Sequence, residues 1–434
     1  MDSLLTNDKL KDFKCDACEA ICFKLIRKKS DFDNGSEFHP EFTHQLFGEN
    51  EQIFGYSNLK INIWYLAGSL STYIGITYSA PVNPMISDVK PDDLSSILSS
   101  VYPYKFDRNL VDFSQTFHED TFKPFGTLRH SYERKSAKKF HIYFMEHGMN
   151  GFDEFLLYHQ KMESFLLFFV DGASAIPTED SQWCYYSLFE AIENTKSKTT
   201  YAFIGYMTVY KFYAYPANLR PRLSQILVLP PFRNSGHATE LLNTFYRDFV
   251  HVPNVRDITV EDPSDDFRRI RDYVDCKRCL EHPEVLKLLK QDHGAGKNTI
   301  LTSNEKNYKT FRNKVQEYLK INRCQAKRIY EILQLYLLPR TSEAFECFRD
   351  ALQKRTTANY ERARSDIMCG RVLKKQHGTV TVTEPVRKMF DELAEDCFRA
   401  QVKEKVDFDF DSYQRIVEKL DLKFGNTLSP KRVT

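Results

Sequence analysis

The sequence has almost no excess charge of either sign and no long apolar run. Its 61 Lys and Arg residues nearly balance 59 Asp and Glu residues, for a formal net charge of +2. A protein that binds nucleic acid through a broad basic face would carry a larger excess of positive charge. A local acidic groove that binds a basic peptide is compatible with this small net charge. No window offers about 18 uninterrupted apolar residues, and the acidic, polar residues 1–8 differ from a signal peptide. We therefore expect a soluble intracellular protein without direct nucleic-acid or membrane binding.

The cysteines do not have the spacing of a metal site. Ten are scattered along the chain, and the two Cys-x-x-Cys pairs, Cys15/Cys18 and Cys276/Cys279, lie far apart. A structural zinc ion usually draws four ligands from compact knuckles. We therefore expect reduced thiols and no metal.

The chain has the length and composition of two or three globular domains. It has 434 residues, of which 42% are hydrophobic and 28% charged, and its 34 Phe and 24 Tyr predict an aromatic core. Strand-like segments occupy much of residues 13–78, including 61–66. After about residue 267 the pattern becomes helical, and Asn322 is a predicted N-cap with Gln325 in the capping-box position.

The middle of the chain combines strands with amphipathic helices. Residues 152–170 have apolar residues at helical spacing, and 183–189, 203–210 and 224–229 are typical of strands. A glycine-containing turn, a helix to Phe249 and a predicted strand at 255–260 follow. Strand, helix and strand in this order predict a parallel βαβ unit and a mixed α/β fold.

The turn at residues 232–238 is the most informative segment. The first amides of a helix lack internal partners and carry partial positive charge, so they stabilise an anion placed over them. Gly236 removes the side chain that would block this approach, Ala238 keeps the first helical turn slim and Arg233 adds a cation. As a bare pattern, R-x-x-G-x-A also fits an ordinary strand-to-helix turn. The Gly-Lys-Ser/Thr end of a P-loop and the Rossmann glycine triplet are missing.

With its neighbouring blocks, this turn resembles the GNAT acetyltransferase superfamily and, within it, the type B histone acetyltransferase catalytic subunits. The blocks are residues 41–48, 122–128, 205–210, 220–225, 257–264 and 326–333, in family order. The family usually has a more glycine-rich turn, but the residues here are small or flexible enough for binding to survive. The resemblance covers roughly residues 13–338, and the role of the residues beyond about 340 is not indicated by the sequence.

The resemblance implies three domains and one co-substrate. The expected domains are an α/β amino-terminal domain in residues 1–120, a GNAT acetyl-CoA-binding catalytic domain in 121–268 and a helical domain in 269–434. The strand before the turn is expected to splay and to offer backbone hydrogen bonds to the pantetheine arm, and one amide can polarise the thioester carbonyl. The implied acetyl-CoA residues are Ile226, Leu227, Val228, Arg233, Asn234, Ser235, Gly236, His237, Ala238 and Thr239. We expect His237 to have a positional role rather than to act as an acid or base.

Lysine acetylation requires a carboxylate, because a free lysine has a pKa near ~10.4 and must lose a proton before it attacks. Glu261 and Asp262 end the predicted strand 255–260, where ligands gather in a parallel sheet. The residues alone favour a solvated acidic pair that begins a turn with Pro263 and Ser264, whereas the resemblance favours Glu261 as general base. Asp171 follows the apolar run 165–170, where burial could raise its pKa. The family usually has Glu there, so the shorter Asp favours a water-mediated role, and a plain helix-end carboxylate is the alternative.

The resemblance also implies substrate contacts and partners. Tyr210, Lys211 and Phe212 match a segment that contacts the histone peptide, and Glu49 and Glu51 lie in the matching acidic loop. Ordinary surface charge explains those two glutamates equally well. The implied substrate is the amino-terminal tail of newly made histone H4, present as a dimer with H3. The implied partner is a WD-repeat histone chaperone, and the implied location is nucleus and cytoplasm.

Two other functions remain open from the sequence. One is a GNAT enzyme that acetylates another protein or a small amine, which the amino-terminal blocks disfavour. The other is an inactive histone-binding scaffold, which the presence of Arg233, Gly236 and Glu261 disfavours.

Overall fold

The computed structural model describes residues 10–82, 89–117, 122–134, 137–193, 199–294, 305–368 and 395–425. The chain divides into two compact units. The first comprises residues 1–254 and 259–262, and the second comprises 255–258 and 263–434. The domain boundaries expected at residues 120 and 268 remain a prediction.

The described part of the first unit is organised around two larger sheets and two short strand pairs. The strands are β1 (Lys14–Asp16), β2 (Ile21–Ile26), β3 (Glu37–Phe38), β4 (Gln52–Phe54), β5 (Tyr56–Ser57), β6 (Lys60–Leu66), β7 (Thr72–Thr77), β8 (Ala80–Pro81), β9 (Thr127–Arg134), β10 (Lys138–Glu146), β11 (Trp183–Glu193), β12 (Thr199–Ala214), β13 (Asn218–Val228) and β14 (Thr259–Val260). The six-stranded sheet has the order β14-β13-β12-β11-β10-β9, and only its β13–β14 pair is parallel. The four-stranded sheet has the order β3-β2-β6-β7, with β2 and β6 parallel.

Helices of the first unit flank these sheets. They are α1 (Ala17–Ala20), α2 (Asp31–Asn34), α3 (His44–Phe47), α4 (Leu94–Val101), α5 (Leu110–Gln115), α6 (Phe152–Glu163), α7 (Leu166–Phe169) and α8 (His237–Phe249). The helix predicted over residues 152–170 is confirmed as α6 and α7. It is interrupted at buried Ser164, whose hydroxyl lies 3.0 Å from the Tyr65 hydroxyl.

The predicted aromatic core is confirmed in the first unit. All six residues of β2 are buried. The Phe23 ring lies 5.1–6.0 Å, centroid to centroid, from the rings of Phe38, Phe165, Phe168 and Phe169. These rings fix α7 against the four-stranded sheet, which places the chain after α7 beside the end of β13.

The predicted βαβ unit is confirmed, but the prediction of one strand over residues 255–260 is wrong in extent. β14 contains only Thr259 and Val260, which pair in parallel with β13. Residues 255–258 belong to the second unit, where Ile258 N donates to the Lys320 carbonyl at 2.8 Å. Val255 and Ile258 are both buried there. The apolar pattern correctly predicted burial, but a helical unit covers most of the segment.

The described residues of the second unit are predominantly helical. The helices are α9 (Asp265–Glu281), α10 (Pro283–Gly294), α11 (Glu305–Leu319), α12 (Arg323–Leu337), α13 (Ser342–Met368) and α14 (Glu395–Phe424). Asn322 caps α12 as predicted and accepts from Gln325 N at 3.1 Å. The Gln325 side chain instead donates to Asp272 and Asp275 of α9. The capping box therefore has the hydrogen bond from Gln325 N to Asn322 but not the return bond from the Gln325 side chain to the backbone of Asn322. None of the helices in the described ranges has an apolar stretch that could span a membrane. The mixed α/β fold with a helical carboxyl-terminal part is confirmed.

Candidate active site

The turn between β13 and α8 has a backbone that favours glycine. Gly236 precedes the helix with a φ of +79°, and Asn234 has a φ of +59°. Asparagine is among the few other residues that enter this left-handed region readily. Gly236 has no side chain with which to cap the helix, and its carbonyl accepts from Glu240 N at 3.2 Å. Among the described residues, no side chain accepts from the amides of positions 237–239, so these remain available to an anion.

His237 is buried at the first position of α8. Its Nδ1 lies 2.6 Å from the Tyr132 hydroxyl, and the Phe140 ring packs against it at 4.5 Å between centroids. Burial lowers the pKa of His237 to about 4, and the Arg134 guanidinium adds to this effect. Burial also raises the pKa of Tyr132, so a neutral phenol and a neutral imidazole share this hydrogen bond. This arrangement supports the positional role expected for His237.

The strand before the turn has one open edge. Parallel pairing between β13 and β14 extends over Arg222 and Leu223 only, and Glu261 N then donates to the Leu223 carbonyl at 2.9 Å. Leu229 N donates to Ile204 of β12, and backbone groups of successive residues face opposite edges of a strand. The backbone of Ile226 therefore faces the edge that β14 has left. Among the described residues, this edge of β13 has no strand partner beyond Leu223, and its role in binding an extended ligand arm stays a prediction.

Glu261 and Asp262 follow β14 directly. The Glu261 carboxylate is exposed, and its Oε2 accepts from the Ser224 hydroxyl of β13 at 2.8 Å. Asp262 is also exposed and has a φ of +27°, so the strand has ended before it. The alternation that would place the two carboxylates on opposite faces of a strand does not apply here. Glu261 is thereby fixed at the edge where β13 and β14 separate.

Asp171 does not lie in an apolar environment. Its side chain is 76% exposed, and Oδ1 lies 3.2 Å from Nε2 of His44. The desolvation expected from the preceding apolar run is therefore absent in this structure. The nearby Ser174 carbonyl accepts from the Gln225 side chain of β13 at 2.8 Å. This bond ties the segment after α7 to the strand that precedes the turn.

The acidic loop before β4 is shaped by Glu51. One of its carboxylate oxygens, Oε1, accepts from the backbone amides of Thr43 and His44 at the start of α3. The same oxygen lies 3.8 Å from Nδ1 of His44. Glu49 is exposed. Glu51 thus stabilises this loop. The exposed Glu49 carboxylate is the more accessible of the two to a basic ligand.

The predicted peptide-contacting segment of β12 divides between two faces. The rings of Tyr210 and Phe212 lie 4.4 Å apart, and the Tyr210 hydroxyl donates to Asp180 at 2.7 Å. Lys211 points to the opposite face, where its amino group pairs with Glu146 at 2.9 Å. Tyr210 and Phe212 form one aromatic surface, and Lys211 is not part of it.

Arg233 has partners inside the first unit. Its Nε donates to the Val228 carbonyl at 2.9 Å, and its Nη1 pairs with the Glu41 carboxylate. These bonds connect the end of β13 to the loop before α3. A contact of Arg233 with a cofactor phosphate stays a prediction.

Two side chains at this site, His44 and Arg134, were not predicted from the sequence. His44 lies within a matched block, residues 41–48, but only the folded loop pairs it with Asp171. Arg134 ends β9, and its Nε donates to the Ser235 carbonyl of the turn at 3.0 Å. These contacts join residues about a hundred or more positions apart in sequence, and no local pattern marks them. Across the described ranges, no cluster of three or more His, Cys, Asp and Glu side chains is arranged to hold a metal ion.

Comparison with known proteins places the chain among histone acetyltransferases. Residues 13–171 match the family model described as "Histone acetyl transferase HAT1 N-terminus". The human histone acetyltransferase type B catalytic subunit is 34% identical over 421 residues, which is 95% of this chain and 94% of the human protein. The corresponding protein of Cryptococcus neoformans is 30% identical, covering 67% of this chain and 77% of the fungal protein. A Dictyostelium discoideum relative is 32% identical, covering 76% of this chain and 69% of its own.

Solved structures give weaker likenesses. The acetyltransferase domain of xEco2 bound to a CoA conjugate is 13% identical, covers 34% of this chain and 92% of that chain, and has a TM-score of 0.24. A ribosomal-protein-alanine N-acetyltransferase from Brucella melitensis is 13% identical, covers 31% and 90% of the two chains, and has a TM-score of 0.21.

Proposed function

Because this chain belongs to the type B histone acetyltransferase catalytic subunits and is therefore an acetyltransferase, we propose that it transfers acetyl from acetyl-CoA to lysine side chains of the amino-terminal tail of newly synthesised histone H4. The observation that carries the proposal is the β13–α8–β14 unit. Among the described residues, it joins an unpaired strand edge, through residues 229–236, to a helix start without a side-chain cap. These two features suit the two ends of one donor, the pantetheine arm and the pyrophosphate.

The turn and the strand divide the binding of acetyl-CoA between them. The amides of positions 237–239 receive the pyrophosphate, and Gly236 leaves room for its approach. The backbone of Ile226 hydrogen-bonds the pantetheine arm along the open edge of β13. An amide of the same strand stabilises the negative charge that develops on the thioester oxygen during attack.

The carboxylates beside the open edge supply the base. In the proposed reaction, Glu261 takes a proton from the lysine ammonium, directly or through a water molecule. The neutral nitrogen then attacks the thioester carbonyl carbon and the carbon–sulfur bond breaks. The nitrogen loses its second proton, which balances the charge of the departing CoA thiolate, and the amide remains. The Ser224 hydroxyl, 2.8 Å from Glu261 Oε2, orients the carboxylate. Asp262 and, through water, Asp171 are the other candidate bases.

The peptide substrate suits the acidic and aromatic side chains of the first unit. Exposed Glu49 can pair with lysine or arginine of a basic tail. The aromatic surface formed by Tyr210 and Phe212 offers apolar contact to aliphatic stems of the same side chains. We also propose that the protein acts on H4 in its dimer with H3, with a WD-repeat histone chaperone as partner, in nucleus and cytoplasm.

A mass-resolved acetylation assay tests the proposal. The purified chain is incubated with acetyl-CoA and, separately, an H4 tail peptide, an H3 tail peptide or spermidine. We expect preferential acetylation of the H4 peptide, and no activity in a Gly236→Glu variant. Acetylation of spermidine alone would retain acetyl transfer but refute the histone substrate. Bound acetyl-CoA without any product would favour the inactive scaffold.

A further inference from the structure

The guanidinium of Arg134 lies across the turn that precedes α8. Its Nε donates to the Ser235 carbonyl at 3.0 Å, and its Nη2 donates to Glu240 at 2.7 Å. A β-carbon placed on Gly236 would lie 3.2 Å from Nη2, so the guanidinium is directly beside the glycine. The side chain is 32% exposed and is thus accessible to a ligand at the turn.

Ser235, Glu240 and Tyr132 hold this guanidinium in one orientation. Glu240, on the first turn of α8, is shared with His130, whose Nε2 lies 3.2 Å from the carboxylate. The Tyr132 ring lies under the guanidinium, 4.7 Å from its central carbon. Nη1 makes only a long contact of 3.5 Å with the Glu133 carbonyl. Because two edges of the planar group are fixed, Nη1 is left as an oriented donor.

The arginine within the turn motif is placed differently. Arg233 directs its Nε to the Val228 carbonyl and its Nη1 to Glu41. The cation that borders Gly236 therefore comes from β9, about a hundred residues earlier in the chain.

We propose that Arg134 binds the pyrophosphate of the acetyl donor, together with the first amides of α8. The inference rests on the proposed function and adds a residue to that site. The planar guanidinium donates from Nη1 to a phosphate oxygen, while Glu240 and Ser235 keep it in place. Because Glu240 already balances most of the charge of Arg134, the guanidinium contributes mainly an oriented hydrogen bond, which adds to the partial positive charge of the helix start.

Donor analogues separate this role from a purely structural one. The measurement is kcat/KM with acetyl-CoA, with acetyl-dephospho-CoA, which lacks the 3′-phosphate, and with S-acetylpantetheine, which lacks all phosphates. Arg134→Gln should lower kcat/KM by roughly tenfold or more with the first two donors, the size of one charge-assisted hydrogen bond. It should leave the value for S-acetylpantetheine unchanged. Arg134→Lys, which keeps the charge but loses the planar fork, should give an intermediate loss.

Arg129 offers a matched control on the same strand. It pairs with Asp248 near the opposite end of α8, at 3.7 Å. Arg129→Gln removes the same charge from β9 and should not change the preference for phosphate-containing donors. Thermal unfolding of each variant checks the fold, and Arg134→Lys provides the comparison if Arg134→Gln does not fold.

Three results would overturn the assignment of Arg134. They are an equal loss with all three donors, no loss with any, and a loss confined to acetyl-CoA, which would indicate the 3′-phosphate instead. Failure of the proposed function has a different signature. If the wild-type protein used S-acetylpantetheine as efficiently as acetyl-CoA, the phosphates of the donor would contribute nothing to its use, and the proposed phosphate-binding turn itself would be refuted.

Discussion

The buried histidine at the start of α8 predicts that the first unit loses stability on mild acidification. His237 is 3% exposed, shares a hydrogen bond with the Tyr132 hydroxyl and packs against Phe140. Protonation in place would bury a positive charge beside Arg134. The folded protein therefore resists protonation at a pH where the unfolded chain accepts it readily.

The magnitude follows from proton binding in the two states. A histidine in an unfolded chain has a pKa near ~6.5, whereas burial lowers the pKa of His237 to about 4. Between these values the unfolded state binds more protons, so the free energy of unfolding rises with pH. Going down from about pH 7.5 to about pH 5, this histidine alone removes about 2 kcal/mol of stability.

Urea unfolding followed by tryptophan fluorescence measures this effect in the relevant unit, because both tryptophans, Trp64 and Trp183, belong to it. His237→Asn keeps a hydrogen-bonding group near the Nδ1 position but cannot titrate. Wild type should lose about 2 kcal/mol more than His237→Asn over that pH interval. Tyr132→Phe leaves the histidine buried and should retain the wild-type response. Equal responses of wild type and His237→Asn would refute the burial argument.

Three further variants test the site. Gly236→Glu should abolish acetyl-CoA binding, because a side chain at a φ of +79° is strained and its charge repels phosphate; unchanged affinity in calorimetry would contradict the turn assignment. Glu261→Gln should lower kcat by about 10²-fold or more with acetyl-CoA affinity nearly intact; an unaltered pH–rate profile would remove Glu261 as the base. Arg233→Gln should lower the free energy of unfolding by about 1 kcal/mol, since it loses the Val228 carbonyl and a partly exposed ion pair with Glu41; an unchanged urea midpoint would show that these contacts contribute nothing.

Local sequence patterns predicted the elements that bear the site. The apolar run 224–229, Gly236 and the helical spacing up to Phe249 gave β13, the turn and α8 in order. The Asn322 cap was also recognisable, because a cap is formed by neighbours in the sequence. Such features depend on interactions within a few residues, which periodicity and residue type report directly.

The length of β14 could not be predicted from the sequence. Val255 and Ile258 have the burial expected of a sheet strand, but they are covered within the helical unit. Apolar residues in a segment indicate that it is buried and do not show which element buries it.

The side chains around the site were also beyond local patterns. Arg134 meets the turn because the start of α8 packs over β9 and β10, where His237 contacts Tyr132 and Phe140. His44 meets Asp171 because the loop before β4 folds onto the segment after α7.

The amino-acid sequence by itself determined the turn that is proposed to bind phosphate, because glycine at the N-cap and a helix start without a cap are properties of adjacent residues. It also determined the family, since many separate blocks agree in order. Only the tertiary structure decided which arginine borders the turn, which histidine pairs with Asp171 and where β13 loses its parallel partner. Those contacts join residues distant in the chain, and strand pairing and packing bring them together.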